Sequence, residues 1–400
     1  MIQGLPKGKI RYIIGQTKYI KTCLYLYFEY GFMRAWKFLL MKLIVKEGEG
    51  ALGILFRIGE IILRPFELTH LLCRYPRQIE IEVTNVCDKK CLLCEHTYWD
   101  EPNRHLRYAD FLKIIYNFPK LLWVNMTGEG DSFLNPDYLD MLRTLKDKNI
   151  PVFLVESFNR IKPEIADELV RIGIDGIHIS FDGATKETYE TIKKGCNYEI
   201  TISNIRYLLT KRGSKPIPEI CFRYVITKIN VHEMPSFIDM IHEHFGEFDI
   251  GHIEFVGLLH FPEIAHLFVE SVPQDIMEDV YARAKKYGYT VRFAHPGRDL
   301  ATTRYCTAWS EPYIMLGGYV LSCCAVLMSN RRPELREMAY GNIYDIPFTT
   351  IWESDRYKEC RRIIPREDQP LPRMCDGCRA FNTYWRKEIH GIYEYRTIHN

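Results

Sequence analysis

At 400 residues, 47% apolar and 26% charged, the chain is long enough for two or three folded units and apolar enough to give each a core. Its formal net charge of +2 excludes a chain built as a whole around nucleic acid or a strongly acidic partner, so any basic surface must be local. Thirteen cysteines would suggest disulfides in a secreted chain, but residues 1–9 lack the apolar core and cleavage site of a secretory signal. The expected compartment is therefore the reducing cytoplasm, where cysteines at short fixed spacings bind metal or do redox chemistry.

Residues 1–75 read as a helical extension, aromatic and basic along Tyr19 to Tyr30 and Arg34 to Val45, with eleven Lys and Arg against four Glu between residues 1 and 66. Lys21, Glu29, Arg34, Lys37 and Lys42 interrupt every run that might span a bilayer. Two readings stay open. Cationic helices with Trp, Phe and Leu can lie in a membrane interface, which would place the chain peripherally at the inner membrane face. They can equally form a cap packed on the next domain.

Residues 76–300 alternate strand and helix. Strands are expected at Ile79 to Thr84, Leu122 to Met126, Val152 to Val155, Gly176 to Phe181, Glu219 to Ile226 and His252 to Val256. Helices are expected at Tyr108 to Phe118, Tyr138 to Lys148, Pro163 to Ile172, Ile200 to Lys211 and Met234 to Phe245. Repeated strand-helix units predict parallel strands with right-handed crossovers.

Directly after the first strand stand Cys87, Cys91 and Cys94, a CxxxCxxC triplet. Three thiolates at this spacing can hold three irons of a [4Fe-4S] cluster, which normally takes four cysteines, so one iron is left open. Alone, the triplet can also be half of a zinc site, with His96 as the close fourth ligand. Two further segments fall in order behind it: Met126 to Pro136 (MTGEGDSFLNP) after the second strand and Ile177 to Gly183 (IHISFDG) after the fourth.

Together these resemble the radical S-adenosylmethionine (SAM) superfamily, in which the open iron binds the amino and carboxylate groups of SAM and an electron from the cluster yields a 5′-deoxyadenosyl radical. The resemblance implies an α/β fold, a partial (βα)6 barrel of the TIM type, with its chemistry at the carboxyl ends of the strands. It implies that Gly128, Glu129, Gly130 and Asp131 meet the methionyl ammonium. Register to Leu134-Asn135-Pro136 favours Asp131 as the carboxylate, and a literal Gly-Glu match selects Glu129. Ser180 and Asp182, on one face of the fourth strand by alternation, are implied ribose contacts. Two departures stand out: Leu93 replaces a common aromatic before the third cysteine, and Lys193-Lys194-Gly195 stands where an Arg-containing segment is common. Arg223 and Asn230 can reach the SAM carboxylate or ribose, or serve as a solvated Arg and a turn Asn.

A second cysteine set fills residues 301–380, before an aromatic, basic tail over 381–400. Cys306, the stretch Leu316 to Cys324, the stretch Gly341 to Trp352, and the CxxC of Cys375 and Cys378 resemble the auxiliary-cluster modules called twitch and SPASM. The resemblance implies one auxiliary [4Fe-4S] cluster on Cys306, Cys323, Cys375 and Cys378, with Cys324 as an alternative to Cys323 and Cys360 unassigned. A structural zinc site is the competing reading of four cysteines.

The implied function is reductive cleavage of SAM and hydrogen abstraction from an unactivated C–H, with flavodoxin or ferredoxin as the reducing partner and no nucleic acid. The basic aromatic extension and the apolar stretch Val256 to Phe261 point to a lipid or other membrane-associated substrate, through C–C coupling, dehydrogenation or another alkyl-chain change. A sugar or aminocyclitol, another small molecule, or a ribosomal peptide stays open. So does a non-catalytic iron-sulfur or zinc-binding protein.

Overall fold

A computed structural model describes residues 7–45, 62, 75–258, 261–294, 310–328, 331–364, 369–375 and 392–393. The chain begins with α1 (Lys7–Tyr30) and α2 (Phe32–Val45), broken only at Gly31, whose φ of +89° lies where non-glycine residues are strained. Leu26, Ala35, Phe38 and Met41 turn inward from these helices onto Trp123 and Ile217, with Phe153 packed beside them. Trp123 begins the second strand, so the helices close the amino-terminal end of the barrel, opposite the cysteine triplet. Their cations finish other helices. The Arg34 guanidinium donates to the carbonyls of Ile172 and Gly173 at one helix end, and Lys37 Nζ donates to Lys148 O at 3.0 Å at another. Carbonyls in a last turn lack intrahelical donors, which is why cations settle there.

On α1 and α2 the cap reading thus describes the inner face. The outer face is different: Ile20, Leu24, Tyr27, Phe28, Phe32, Met33 and Trp36 are exposed, Phe28 at 80%. Among the described residues no helix is long and apolar enough to cross a membrane.

Six parallel strands follow, β1 (Gln78–Glu82), β2 (Trp123–Thr127), β3 (Val152–Glu156), β4 (Gly176–Ser180), β5 (Glu219–Ile226) and β6 (Ile253–Gly257), each paired with the next in sequence order. The helices between them are α3 (Tyr108–Tyr116), α4 (Tyr138–Asp147), α5 (Pro163–Ile172), α6 (Lys186–Ile192), α7 (Tyr198–Arg212) and α8 (Met234–Phe245). This is the partial (βα)6 barrel that the sequence predicts. Its core lies between sheet and helices: Ile79, Ile81, Val124, Met126, Ile177, Ile179, Ile220 and Phe222 pack there. By alternation the opposite, concave face carries Glu80, Glu82, Asn125, Thr127, His178, Ser180, Arg223 and Glu254.

α5 and α8 match the expected bounds at both ends, because Pro163 supplies the first turn of α5, left-handed Gly173 ends it, and Pro235 sits in the first turn of α8. Three elements extend the expectation: α6, α9 (Gln274–Tyr287) and a seventh parallel strand, β7 (Val291–Ala294), on the β6 edge. α6 buries only Tyr189 and Ile192, and α9 only Val280 and Ala284, so neither presents a wide apolar stripe.

The carboxyl-terminal region joins the same sheet. β8 (Tyr313–Met315) pairs parallel with β1, Glu80 opposite Tyr313, and turns into antiparallel β9 (Tyr319–Leu321). Gly317 and Gly318 make the turn at φ of +91° and +86°, and a Cβ on Gly318 would meet Asn342 Oδ1 at 2.5 Å. Asn342 Nδ2 in turn donates to Gly317 O at 2.7 Å, so the Gly-Asn-Ile segment clamps the hairpin. Short helices α10 (Arg332–Met338), α11 (Phe348–Trp352) and α12 (Asp355–Ile363) complete this region.

Candidate active site

The loop after β1 is held on both sides before it reaches the cysteines. Thr84 bridges to His105, Asn85 Nδ2 donates to Pro102 O at 3.0 Å, and Asn85 Oδ1 accepts from Arg104 N at 2.6 Å. Further on, Lys90 N donates to Lys194 O at 2.9 Å and Leu92 N to Ile192 O at 2.8 Å. The Lys193-Lys194-Gly195 segment, which departs from the family pattern, is therefore the shelf on which the cysteine loop rests. All three thiols are half-buried. Burial pushes Cys87 and Cys94 up, whereas a hydrogen bond from Cys196 leads the effects that draw Cys91 down to about 6. Cys196 is a neighbour that sequence reading missed, since it lies 105 residues from Cys91 with no motif of its own. His96 Nε2 meets Asn85 O at 2.9 Å, so that nitrogen faces a backbone carbonyl and not the triplet.

Gly130 is required by close approach: a Cβ there would lie 2.6 Å from Val86 O and 2.7 Å from Thr84 O. The two expected carboxylates flank it and part ways. Glu129 is buried with Oε2 4.0 Å from Cys94 Sγ. Asp131 turns to Lys89 Nζ at 2.5 Å and accepts from Phe133 N at 3.2 Å, capping a short turn. Register thus points to the carboxylate paired with Lys89, and the literal Gly-Glu match to the one beside Cys94. Glu95 joins Glu129 and Cys94, with donor atoms mutually within 4.8 Å. Burial raises the pKa of both Glu129 and Glu95, and a proton held on Glu129 faces Glu95. A buried carboxyl pair next to three thiols fits an incoming ammonium group.

Ser180 and Asp182 do share one side of the β4 end, and both meet Lys193: Nζ lies 2.5 Å from Ser180 Oγ and 2.8 Å from Asp182 Oδ2. Asp182 Oδ1 also accepts from Val225 N at 2.8 Å, fixing the end of β4 to β5. Asn230 is wholly committed to a turn, donating to Asp182 O and Val225 O and accepting from Thr227. Arg223 pairs with Glu254 at 2.9 Å on the concave face. Leu93 packs with Leu92 and Tyr98 against Leu258 and Phe261, making the stretch after β6 an apolar wall beside the cysteine loop.

In the carboxyl-terminal region Cys306 and Cys378 lie outside the described residues. Cys323 and Cys375 are half-buried, and their sequence neighbours meet, Ser322 Oγ donating to Met374 Sδ at 3.1 Å. Cys324 is pushed up by burial and then by Glu80, whose carboxyl it faces. Cys360 is buried in the apolar core of α12. The region docks on the barrel through buried Arg332, bidentate to Glu82 at 2.8 and 2.7 Å and stacked 4.5 Å over Trp99, and through Arg336 with Glu101 at 2.7 Å.

Comparison with known proteins agrees with this arrangement. Residues 81–241 match the family model of the Radical SAM superfamily, and residues 306–379 match SPASM, an iron-sulfur cluster-binding domain. The chain is 21% identical over 330 residues to a tungsten-containing aldehyde ferredoxin oxidoreductase cofactor-modifying protein of Pyrococcus furiosus, covering 77% of this chain and 90% of the relative. It is 22% identical to the PqqA peptide cyclase of Gluconobacter oxydans over 78% of this chain and 84% of that one. Among solved structures, SuiB of Streptococcus suis bound to S-adenosylmethionine superposes with a TM-score of 0.59 at 15% identity, over 94% of this chain and 91% of SuiB.

Proposed function

From the premise that this chain is a radical SAM enzyme with a carboxyl-terminal SPASM domain, we propose that it takes hydrogen from an unactivated C–H of a polar small molecule or peptide held at the carboxyl ends of the barrel strands. Cys87, Cys91 and Cys94 would hold a [4Fe-4S] cluster, which with bound SAM would supply the electron and the 5′-deoxyadenosyl radical. The chain's own residues do the rest. Glu129, with Glu95 behind it, accepts the SAM ammonium, and Gly130 lets the backbone close on the cysteine loop. Ser180 presents its hydroxyl to the ribose, while Asp182 positions Lys193 and the β5 end. Asp131 holds Lys89 beneath the loop. Cys306, Cys323, Cys375 and Cys378 would hold the auxiliary [4Fe-4S] cluster, and four protein ligands would keep substrate off it.

The observation that carries the substrate class is the polar share of the concave face, Asn125, Thr127, Ser180, Arg223 and Glu254, set among Val155, Val225 and Val256. An alkyl chain lying there would strip water from the Arg223–Glu254 pair and return only contacts with those valines, so the lipid expected from the sequence fits this face less well than a polar group. Of the relatives named above, one is by its name a cofactor-modifying protein and the other a peptide cyclase. The test is substrate-dependent 5′-deoxyadenosine formation by anaerobically reconstituted enzyme given polar-metabolite, peptide or lipid fractions. Stimulation by a polar fraction is expected, and stimulation by the lipid fraction alone overturns the reading.

A second reading concerns location and rests on the exposed face of α1 and α2. Ile20, Leu24, Phe28, Phe32 and Trp36, with Lys21 beside them, have the composition of an interfacial anchor, which would hold the amino-terminal end of the barrel on an anionic membrane with the active site facing away.

A further inference from the structure

One layer below Ser180, Arg223 and Glu254, the concave face holds three side chains that no cluster or SAM role uses. They are His178 on β4, Cys221 opposite it on β5, and His252 immediately before β6. Two residues along a strand is about 6.6 Å, so the group lies that far below the level of Ser180, toward the end closed by α1 and α2. One donor atom from each residue lies within 4.8 Å of the others. Cys221 Sγ is 3.1 Å from His252 Nδ1, and the two imidazole centroids are 5.6 Å apart. His178 Nδ1 is buried and has no hydrogen-bond partner.

A tetrahedral ion with bonds of about 2.0 Å to nitrogen and about 2.3 Å to sulfur spaces neighbouring donors roughly 3.3 to 3.6 Å apart, so side-chain adjustments of an ångström or less would close the three donors on one ion. Two imidazoles and one thiolate are a donor set that zinc takes readily, whereas calcium and magnesium prefer oxygen. Glu219 sits one layer below Cys221, and one layer above it Glu254 stands between Arg223, its ion-pair partner, and Arg292, its register partner on β7.

We propose that His178, Cys221 and His252 bind one divalent transition-metal ion of the zinc class inside the barrel, separate from both iron-sulfur sites. Three protein ligands leave a fourth position for water or a substrate group. The proposal does not depend on the substrate class argued above.

The test uses the holoenzyme, reconstituted anaerobically with iron, sulfide and zinc and freed of unbound metal. Elemental analysis is expected to give about one zinc per chain in wild type and less than a fifth of that in His178→Gln and in His252→Gln, with iron unchanged in both. Zinc retained in full by both variants, or absent from wild type, overturns the proposal and leaves the three residues a hydrogen-bonded cluster. X-ray absorption at the zinc edge of wild type is blind to iron and needs no variant. A first shell of one sulfur and two imidazoles is expected, and four sulfurs would place the zinc on the auxiliary cysteines and sink the assignment.

Discussion

Lys193 Nζ lies 2.8 Å from Asp182 Oδ2, and the carboxylate is almost fully buried. Lys193 also reaches Ser180 and stands beside Cys91, so one ammonium links the β4 end to the cysteine loop. Removing one partner of a buried pair leaves the other charge unpaired. Lys193→Met should therefore lower unfolding free energy by about 3–5 kcal/mol, read from guanidinium unfolding, and Asp182→Asn should cost less because its amide can keep part of the contact. Equal, negligible losses would show that the pair does not hold the loop.

Glu129→Gln should weaken SAM binding by about 10- to 100-fold, the worth of one charge-assisted hydrogen bond, while iron content stays at the wild-type level. Asp131→Asn should leave SAM affinity near wild type and lower stability through loss of the Lys89 pair. Equilibrium binding of SAM to the reconstituted enzyme separates these outcomes, and the reverse pattern would restore Asp131 as the ammonium partner.

Replacing Cys87, Cys91 and Cys94 together by Ala should lower iron from roughly eight to roughly four per chain and abolish 5′-deoxyadenosine formation. Iron that falls to zero would mean that the SPASM region cannot assemble by itself.

Much of this fold was legible in the sequence, because apolar alternation and helix punctuation are local signals. Glu219–Ile226 shows strand alternation from end to end, and α5 carries its own start at Pro163 and stop at Gly173. Pairings across long separations were not. Asp131 meets Lys89 42 residues away, a contact its register gave no sign of. Cys196 comes to Cys91 from the segment between α6 and α7, and the His178, Cys221 and His252 group is a product of strand register, invisible until β4, β5 and β6 lie side by side. For α1 and α2, the sequence allowed a cap or an interface; the inner face packs as a cap, and the outer face is exposed and apolar.

The pH dependence of stability should slope downward across the acid side of neutrality. Burial raises Glu80 and Glu311 to about 7 from an ordinary 4.5. The folded state then binds more protons than the unfolded one between those values. The resulting stabilisation is full below about pH 4.5, is lost as pH rises toward 7, and changes no further above it. Thermal midpoints from pH 5 to 8 should fall in wild type and fall less steeply in Glu80→Gln; identical slopes would exclude Glu80 as a source.

For the outer face of α1 and α2, flotation with anionic vesicles is the direct measurement. Replacing Phe28, Phe32 and Trp36 by Ser should abolish flotation and leave SAM cleavage intact, since these side chains are exposed and lie at the opposite end of the barrel. Wild-type-like flotation of that variant would remove the anchor role.

Because β8 hydrogen-bonds along β1, the strand that launches the SAM loop is an interior strand and not a sheet margin. A chain ended before Tyr313 would leave β1 with an open row of amides and carbonyls, the template on which unrelated strands add. It would also strand Glu82, buried, without Arg332. The auxiliary region is thus not an appendage that can be trimmed to obtain a minimal enzyme: the catalytic half borrows its last strand partner from it, and the two halves stand or aggregate together.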